Sequence, residues 1–266
     1  MLNFAELYWL VPAAFVVYLF VVPLLILATF HQDADPVLAY VDDDAPLPAE
    51  VLQHFVDAKE SLESLGFAVG DMMYLPQQTD NTRGILQLFI NYKDQTSAMG
   101  VTMFTLVNGV WSIGSQYVEF MTKGKGGFTV NSLNSREIGA FPLPETTITS
   151  YLFCLKDIPQ LYSAHCAVSD FHVPHESRVL RLETEFGGNA ADYVADGMKQ
   201  EFREAVRSGY LRPTADGTIY RATFVGAYKL TWQQLPPFKG LIRSQKKRQA
   251  LNRLASVGWD MHSPAV

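Results

Sequence analysis

Positive charge is missing from the opening of the chain, where no Lys or Arg precedes Lys59. A secretory leader needs a basic start, a short apolar stretch and a small-residue cleavage site. The opening MLNFAE offers Glu6 instead, and Ala28-Thr29-Phe30 is a poor substrate for a leader peptidase. The same lack silences the positive-inside rule, which counts Lys and Arg near the ends of a span. Cysteine is scarce too. Cys154 and Cys166 are the 2 cysteines in 266 residues, too few for a disulfide-stapled secreted module, and they fit a pair or two thiols equally. Neither a Cys-x-x-Cys nor an HExxH spacing occurs, and there is no internal repeat or low-complexity tract. Acidic residues outnumber basic ones by 27 to 21, for a net charge of −6. That balance argues against a generic nucleic-acid binder, which needs basic surface to meet phosphates.

What is present starts with residues 7–30, LYWLVPAAFVVYLFVVPLLILATF, which contain no charged side chain. At about 1.5 Å per residue a helix of this length extends roughly 36 Å, enough to cross a hydrocarbon core of about 30 Å. The expectation is a single-pass membrane helix carrying everything after it. Pro12 falls near its start; Pro23 is interior, where its ring removes a backbone bond and kinks the helix. Tyr8 and Trp9 suit the headgroup level. The relief of the span is uneven, with small Ala13 and Ala14, bulky Phe15, Tyr18 and Phe20, and the bend at Pro23. Lipid gives no hydrophobic drive for helix association, so a shaped face of this kind is expected to pack against another membrane protein.

Residues 31–48 hold three prolines and five aspartates with no apolar period, and read as an acidic linker or as a strap across a partner. Residues 49–65 read as a helix stopped by Gly66. From Phe67 the period shifts to two, giving strands over 67–75, 84–93, 98–107, 116–123, 128–134 and 150–156. The turns Asn108-Gly109 and Gly124 to Gly127 are of hairpin type, which favours antiparallel pairing. Residues 158–170 return to helix behind Asp157 and Pro159, and residues 189–208 form a helix capped by Asn189 and ended by Gly209. A hairpin at Asp216-Gly217, a helix over 224–235 and a basic helix over 239–254 complete the chain. The class is α+β, with an anchor over 1–30, a linker over 31–48, an α+β domain over 49–188 and a helix–hairpin–helix part over 189–266.

The densest chemical cluster is His165, Cys166, Asp170, His172, His175 and Glu176. These residue types bind zinc or move protons, so His165, His172, His175 and Glu176 are the metal candidates, yet their spacing matches no ligand signature. Cys166 and Asp170 share one helix face, whereas His172 and His175 are placed beyond its end. The bland reading is a helix C-terminus rich in His, where a cation meets the dipole favourably. Gly124 to Gly127 lies between strands and lacks the helix a phosphate loop requires. Phe186-Gly187-Gly188-Asn189 precedes a helix but lacks the Lys-Ser/Thr that follows in a P-loop, so capping accounts for it. No catalytic residue and no cofactor is assigned. On the terminal helix Lys239, Arg243, Lys246, Lys247, Arg248 and Arg253 face away from Leu241, Ile242, Ala250, Leu251 and Leu254. Such a helix is read three ways: as a solvated exit helix, as a contact to anionic lipid, or as a contact to an acidic partner. Anionic lipid faces the cytoplasm, which tips the soluble part to that side.

The tract GYLRPTADGTIYRATFVGAYKL resembles the wing of a winged-helix domain, which implies a regulator. The preceding helix carries Asp192, Asp196, Glu201 and Glu204 against Lys199, Arg203 and Arg207, without the cationic excess that phosphate contacts demand. NSLNSREIGAFPLPETT, IPQLYSAH and GYLRPTADGTIYRATFVGAYKLTW together are similar to stretches of bacterial single-pass membrane proteins with no assigned activity. That resemblance implies a bacterial origin and one membrane anchor. The functional expectation is a non-enzymatic, membrane-anchored interaction protein or accessory subunit of a membrane complex. Its partners are the membrane, another membrane protein and anionic lipid, and not nucleic acid. The alternatives are a membrane-anchored enzyme built on the His165 to Glu176 cluster and a membrane-bound regulator built on the wing-like segment.

Overall fold

The computed structural model describes residues 4–42, 45–79, 82–107 and 110–260, with the backbone alone at 4–8, 10, 11, 13, 14, 16, 76–79 and 107. Helix α1 covers Phe4–Thr29 and contains both Pro12 and Pro23. Among the described residues no helix is long and apolar enough to cross a membrane; many side chains in the first half of α1, those of Ala13 and Ala14 included, are not among them.

Within the stretch read as an acidic linker, two described segments pair with the rest of the chain and make a strap. Strand β1 (His31–Asp33) and strand β2 (Ala39–Tyr40) are its two paired segments. Pairing by backbone groups alone needs no apolar side chain, so the aspartates do not prevent it. Helix α2 (Ala49–Ser64) buries Val51, Phe55, Ala58 and Leu62, the three- and four-residue stripe of the sequence. Then come β3 (Ala68–Thr79), β4 (Thr82–Asn91), β5 (Thr96–Val107), β6 (Val110–Lys123), β7 (Thr129–Leu133) and β8 (Thr147–Tyr151). With β2 they form one seven-stranded sheet in chain order, antiparallel throughout except where β8 joins β7 in parallel. The sheet is thus mostly antiparallel, as expected, with one parallel pair at that edge. The 134–146 connection carries the chain back to the far end of β7 before β8 begins, which a tight turn cannot do. The Asn108-Gly109 turn lies outside the described residues.

Helix α3 (Ile158–His172) starts as its sequence suggests, with the Asp157 carboxylate accepting from the Gln160 amide at 3.0 Å. It extends two residues further than expected, so His172 is its last residue rather than lying past it. A short helix α4 (Arg181–Phe186), absent from the sequence reading, precedes α5 (Ala190–Arg207), whose first turn is capped by Asn189. Gly187 and Gly188 take left-handed φ of 58° and 83° to turn the chain between them. Strands β9 (Leu211–Pro213) and β10 (Ile219–Ala222) make the expected hairpin, and β1 adds to β10 as a third strand. Helices α6 (Phe224–Gln234) and α7 (Phe238–Ser256) follow on either side of Pro236-Pro237.

Both faces of the large sheet are covered, which is why β4 reads as the nearly unbroken apolar run ILQLFI. On one face Ala58, Leu62, Phe89, Phe120, Val168 and Leu254 join α2, α3 and α7 to the strands. On the other, Leu86, Leu88, Ile90 and Val101 meet Leu182, Ala191, Tyr193 and Val194 of α4 and α5. The strap is fastened to α5: Asp35 pairs with Lys199, and the Tyr40 hydroxyl donates to Asn189 Oδ1 at 3.1 Å.

Helix α1 packs against α6, and α6 in turn depends on Gly226. A Cβ there would meet the Tyr210 carbonyl oxygen at 2.0 Å. Gly226→Ala is expected to cost about 1–3 kcal/mol, because the clash is with backbone and cannot be relieved by a rotamer change. Gly240→Ala, at a helical position with nothing within 4 Å of its Cβ, is expected instead to gain up to about 1 kcal/mol. Urea denaturation midpoints of the two full-length variants check the pair.

Candidate functional site

The titratable cluster picked out by sequence is dispersed and tied into the fold. His165 is fully buried on α3, its ring lying over Phe120 at 5.7 Å between centroids. Its Nε2 meets Thr122 Oγ1 at 2.9 Å and its Nδ1 meets Ser132 Oγ at 3.1 Å. Burial, with Arg178 close by, pushes its pKa down to about 3, so the ring is neutral and bridges β6 to β7. Burial pushes the Cys166 thiol up to about 11, away from nucleophilic use. Asp170 pairs with Arg178, whose Nη1 also donates to the Asp94 carbonyl at 3.1 Å and whose Nε donates to the Val173 carbonyl at 3.1 Å. His172 stacks on Phe128 at 5.7 Å, and His175 contacts the Lys93 carbonyl at 2.9 Å. Glu176 is exposed and contributes its carbonyl to Lys125. Among the described residues no group of three or more His, Cys, Asp or Glu could hold a metal ion.

A concave site exists elsewhere. A cleft of about 450 Å³ opens between the 137–149 segment, α7 and the end of α6. Its charged lining is Lys239, Arg243, Lys246 and Arg253 against Glu137 and Glu145. Four of the six basic residues assigned to lipid or an acidic partner thus turn toward this cleft. Arg243 Nη2 and Lys239 Nζ both pair with Glu137, at 2.6 and 3.2 Å. Arg253 Nη1 donates to the Thr149 carbonyl at 3.2 Å and to Ser150 Oγ at 3.0 Å, and burial lowers its pKa. Among the described residues no carboxylate forms an ion pair with Arg253 or with exposed Lys246. Lys247 lies 5.7 Å from the Phe153 ring centroid, and Arg248 is exposed.

Aromatic packing ties the cleft to the apolar helix. Phe141 lines the cleft and meets Phe30, just past the end of α1, edge-on at 6.0 Å, and Tyr210 at 6.5 Å. Of the residues assigned to packing by the span, Phe15, Tyr18 and Phe20 are exposed and Pro23 is buried.

A third feature escaped the sequence. Glu119 on β6 faces Glu201 on α5 across the second core layer, beside Tyr117 and Tyr151. Burial first, and then the second carboxylate, push Glu119 up to about 7, while burial raises Glu201. Alternation along β6 could have signalled Glu119 as an inward position, since its neighbours Tyr117 and Met121 face the same core.

No family model, curated protein or solved structure matches this chain. The helix that would be the recognition helix of a winged domain buries Ala190, Ala191, Tyr193, Val194, Phe202 and Ala205.

Proposed function

We propose that the chain is a membrane-anchored, non-enzymatic accessory protein: α1 inserts as a single span and docks on another membrane protein, while the α+β domain sits close against the cytoplasmic face. The observation that carries this reading is the one-sided packing of α1. One side contacts α6 while Val17, Phe20, Val21, Leu24 and Leu25 stay 43–58% exposed. An apolar ridge of this length is costly in water and suits lipid or a neighbouring span. The strap and the Phe30–Phe141 contact tie the domain to the foot of the span, so it does not trail on a long tether. The side chains best able to do chemistry are engaged internally, which supports a binding role over the enzymatic alternative.

The full-length protein is expected to stay in the membrane pellet after alkaline carbonate washing. Cys154 is exposed and free, which makes it a topology reporter. A membrane-impermeant maleimide should label it in inside-out vesicles and spare it in intact cells. Release by carbonate would remove the anchor, and labelling in intact cells would invert the topology. Replacing residues 7–30 by a leucine–alanine span of equal length tests the docking. Unchanged co-purification of membrane partners after that replacement would reduce α1 to a tether.

A further inference from the structure

We propose that the cleft beside α7 binds a phosphate group carried on a ligand with an apolar body. Its position at the foot of the span rests on the membrane reading above; its chemistry does not. Four cations face two carboxylates in the lining, an excess that matches the near-dianionic charge of a phosphate monoester and exceeds that of a carboxylate. Three donors in the wall lack a sufficient partner. Arg243 Nε and Thr149 Oγ1 are buried with no hydrogen-bond partner among the described residues. Arg253 is half-buried with neutral oxygens as its hydrogen-bond acceptors. A buried donor left unmade is unfavourable, and an oxyanion accepts from several at once. Guanidinium groups present planar forks that match phosphate oxygens, while Lys246, exposed at the rim, adds a mobile point charge. Phe141, Leu143, Ile148 and Ile242 supply apolar wall, and the volume is that of a small-ligand site rather than a macromolecular surface.

Two sources offer this chemistry: the headgroup of an anionic phospholipid, reached along α1 through the Phe30–Phe141 contact, and a soluble phosphate monoester. Full-length protein in non-ionic detergent micelles can be titrated calorimetrically with inorganic phosphate, with glycerol 3-phosphate, and with short-chain phosphatidic acid against phosphatidylcholine. Saturable binding of at least one phosphate probe is expected, with phosphatidylcholine inert. Lys246→Gln should weaken it by about tenfold, as loss of one charge-assisted contact predicts. Arg243→Lys, which keeps the charge facing Glu137 but removes Nε, should weaken it similarly. Tighter binding of phosphatidic acid than of glycerol 3-phosphate assigns the lipid source; the reverse order assigns the soluble one. Absence of saturable binding by every phosphate probe, or binding that both variants leave unchanged while their melting curves match the parent, overturns the proposal. Carbonate extraction needs no ligand, so the anchor and the phosphate site can fail separately.

Discussion

Exchanging His165 for Ala is expected to remove about 3–5 kcal/mol of stability. The ring is wholly buried against Phe120 and Tyr162. Removing it opens a cavity and leaves the buried Ser132 hydroxyl without its partner, while Thr122 keeps its bond to Thr96 at 2.8 Å. The same residue contributes to the acid limit. Its pKa is depressed in the fold, from an ordinary 6.5 to about 3. The unfolded chain therefore takes up a proton first as pH falls, and the fold loses stability between pH 6.5 and pH 3. The full loss over that window is on the order of 5 kcal/mol, and none of it is felt above pH 7. His165→Gln retains some of the hydrogen bonding and cannot be protonated. It should be less stable than the parent at pH 7 yet show a flatter acid limb in urea titrations at pH 7, 5.5 and 4.5. An unchanged limb would place the acid sensitivity elsewhere.

The second large effect runs the other way with pH. Glu119 has a raised pKa, about 7 against an ordinary 4.5, so the folded protein holds a proton that the unfolded chain has released. Stability is fully present below pH 4.5 and falls as pH climbs through 7, by up to about 3 kcal/mol, and then levels off. Glu119→Gln keeps the shape and removes the charge. It should raise stability at pH 8 by up to about 3 kcal/mol and leave it nearly unchanged at pH 4.5, where the carboxyl is protonated. Glu201, Tyr117 and Tyr151 border the same site, and burial raises all three. Glu201→Gln should therefore lower the Glu119 midpoint by removing the like charge. A Glu119→Gln variant that gains nothing at pH 8 would show that water reaches the carboxylate freely.

Most of the regular structure was legible because it follows local chemistry. The Asn189 cap and the stripe through Ala191, Val194, Met198, Phe202 and Ala205 specify α5 whatever surrounds it, and the period-two segments give six strands with shifted ends. What escaped was non-local. The direction of β8 depends on the route of the 134–146 connection, which has no period to read. The pairing of β1 with β10 joins residues near opposite ends of the chain through backbone bonds, and it is invisible in side-chain pattern. The charges of α7 were legible as charges, but their destination was not. Glu137, Thr149, Arg243 and Arg253 meet only because α7 folds back over β8. The His165 cluster misled for the converse reason: neighbours in sequence on a helix end point into a core, a surface and a neighbouring loop.

The union of β1 with β10 also bears on how the protein is made. His31 pairs with Arg221, so the strand that follows the apolar helix waits for roughly 190 further residues to be translated before its partner exists. At about 5–20 residues per second that delay is on the order of 10–40 seconds. For that interval the helix is committed to its surroundings while the domain has no fixed attitude toward it. Final orientation is a late event, completed as the last third of the chain closes back on the first. If α1 inserts as proposed above, a ribosome stalled before Ile219 would leave an anchored chain whose domain can still swing.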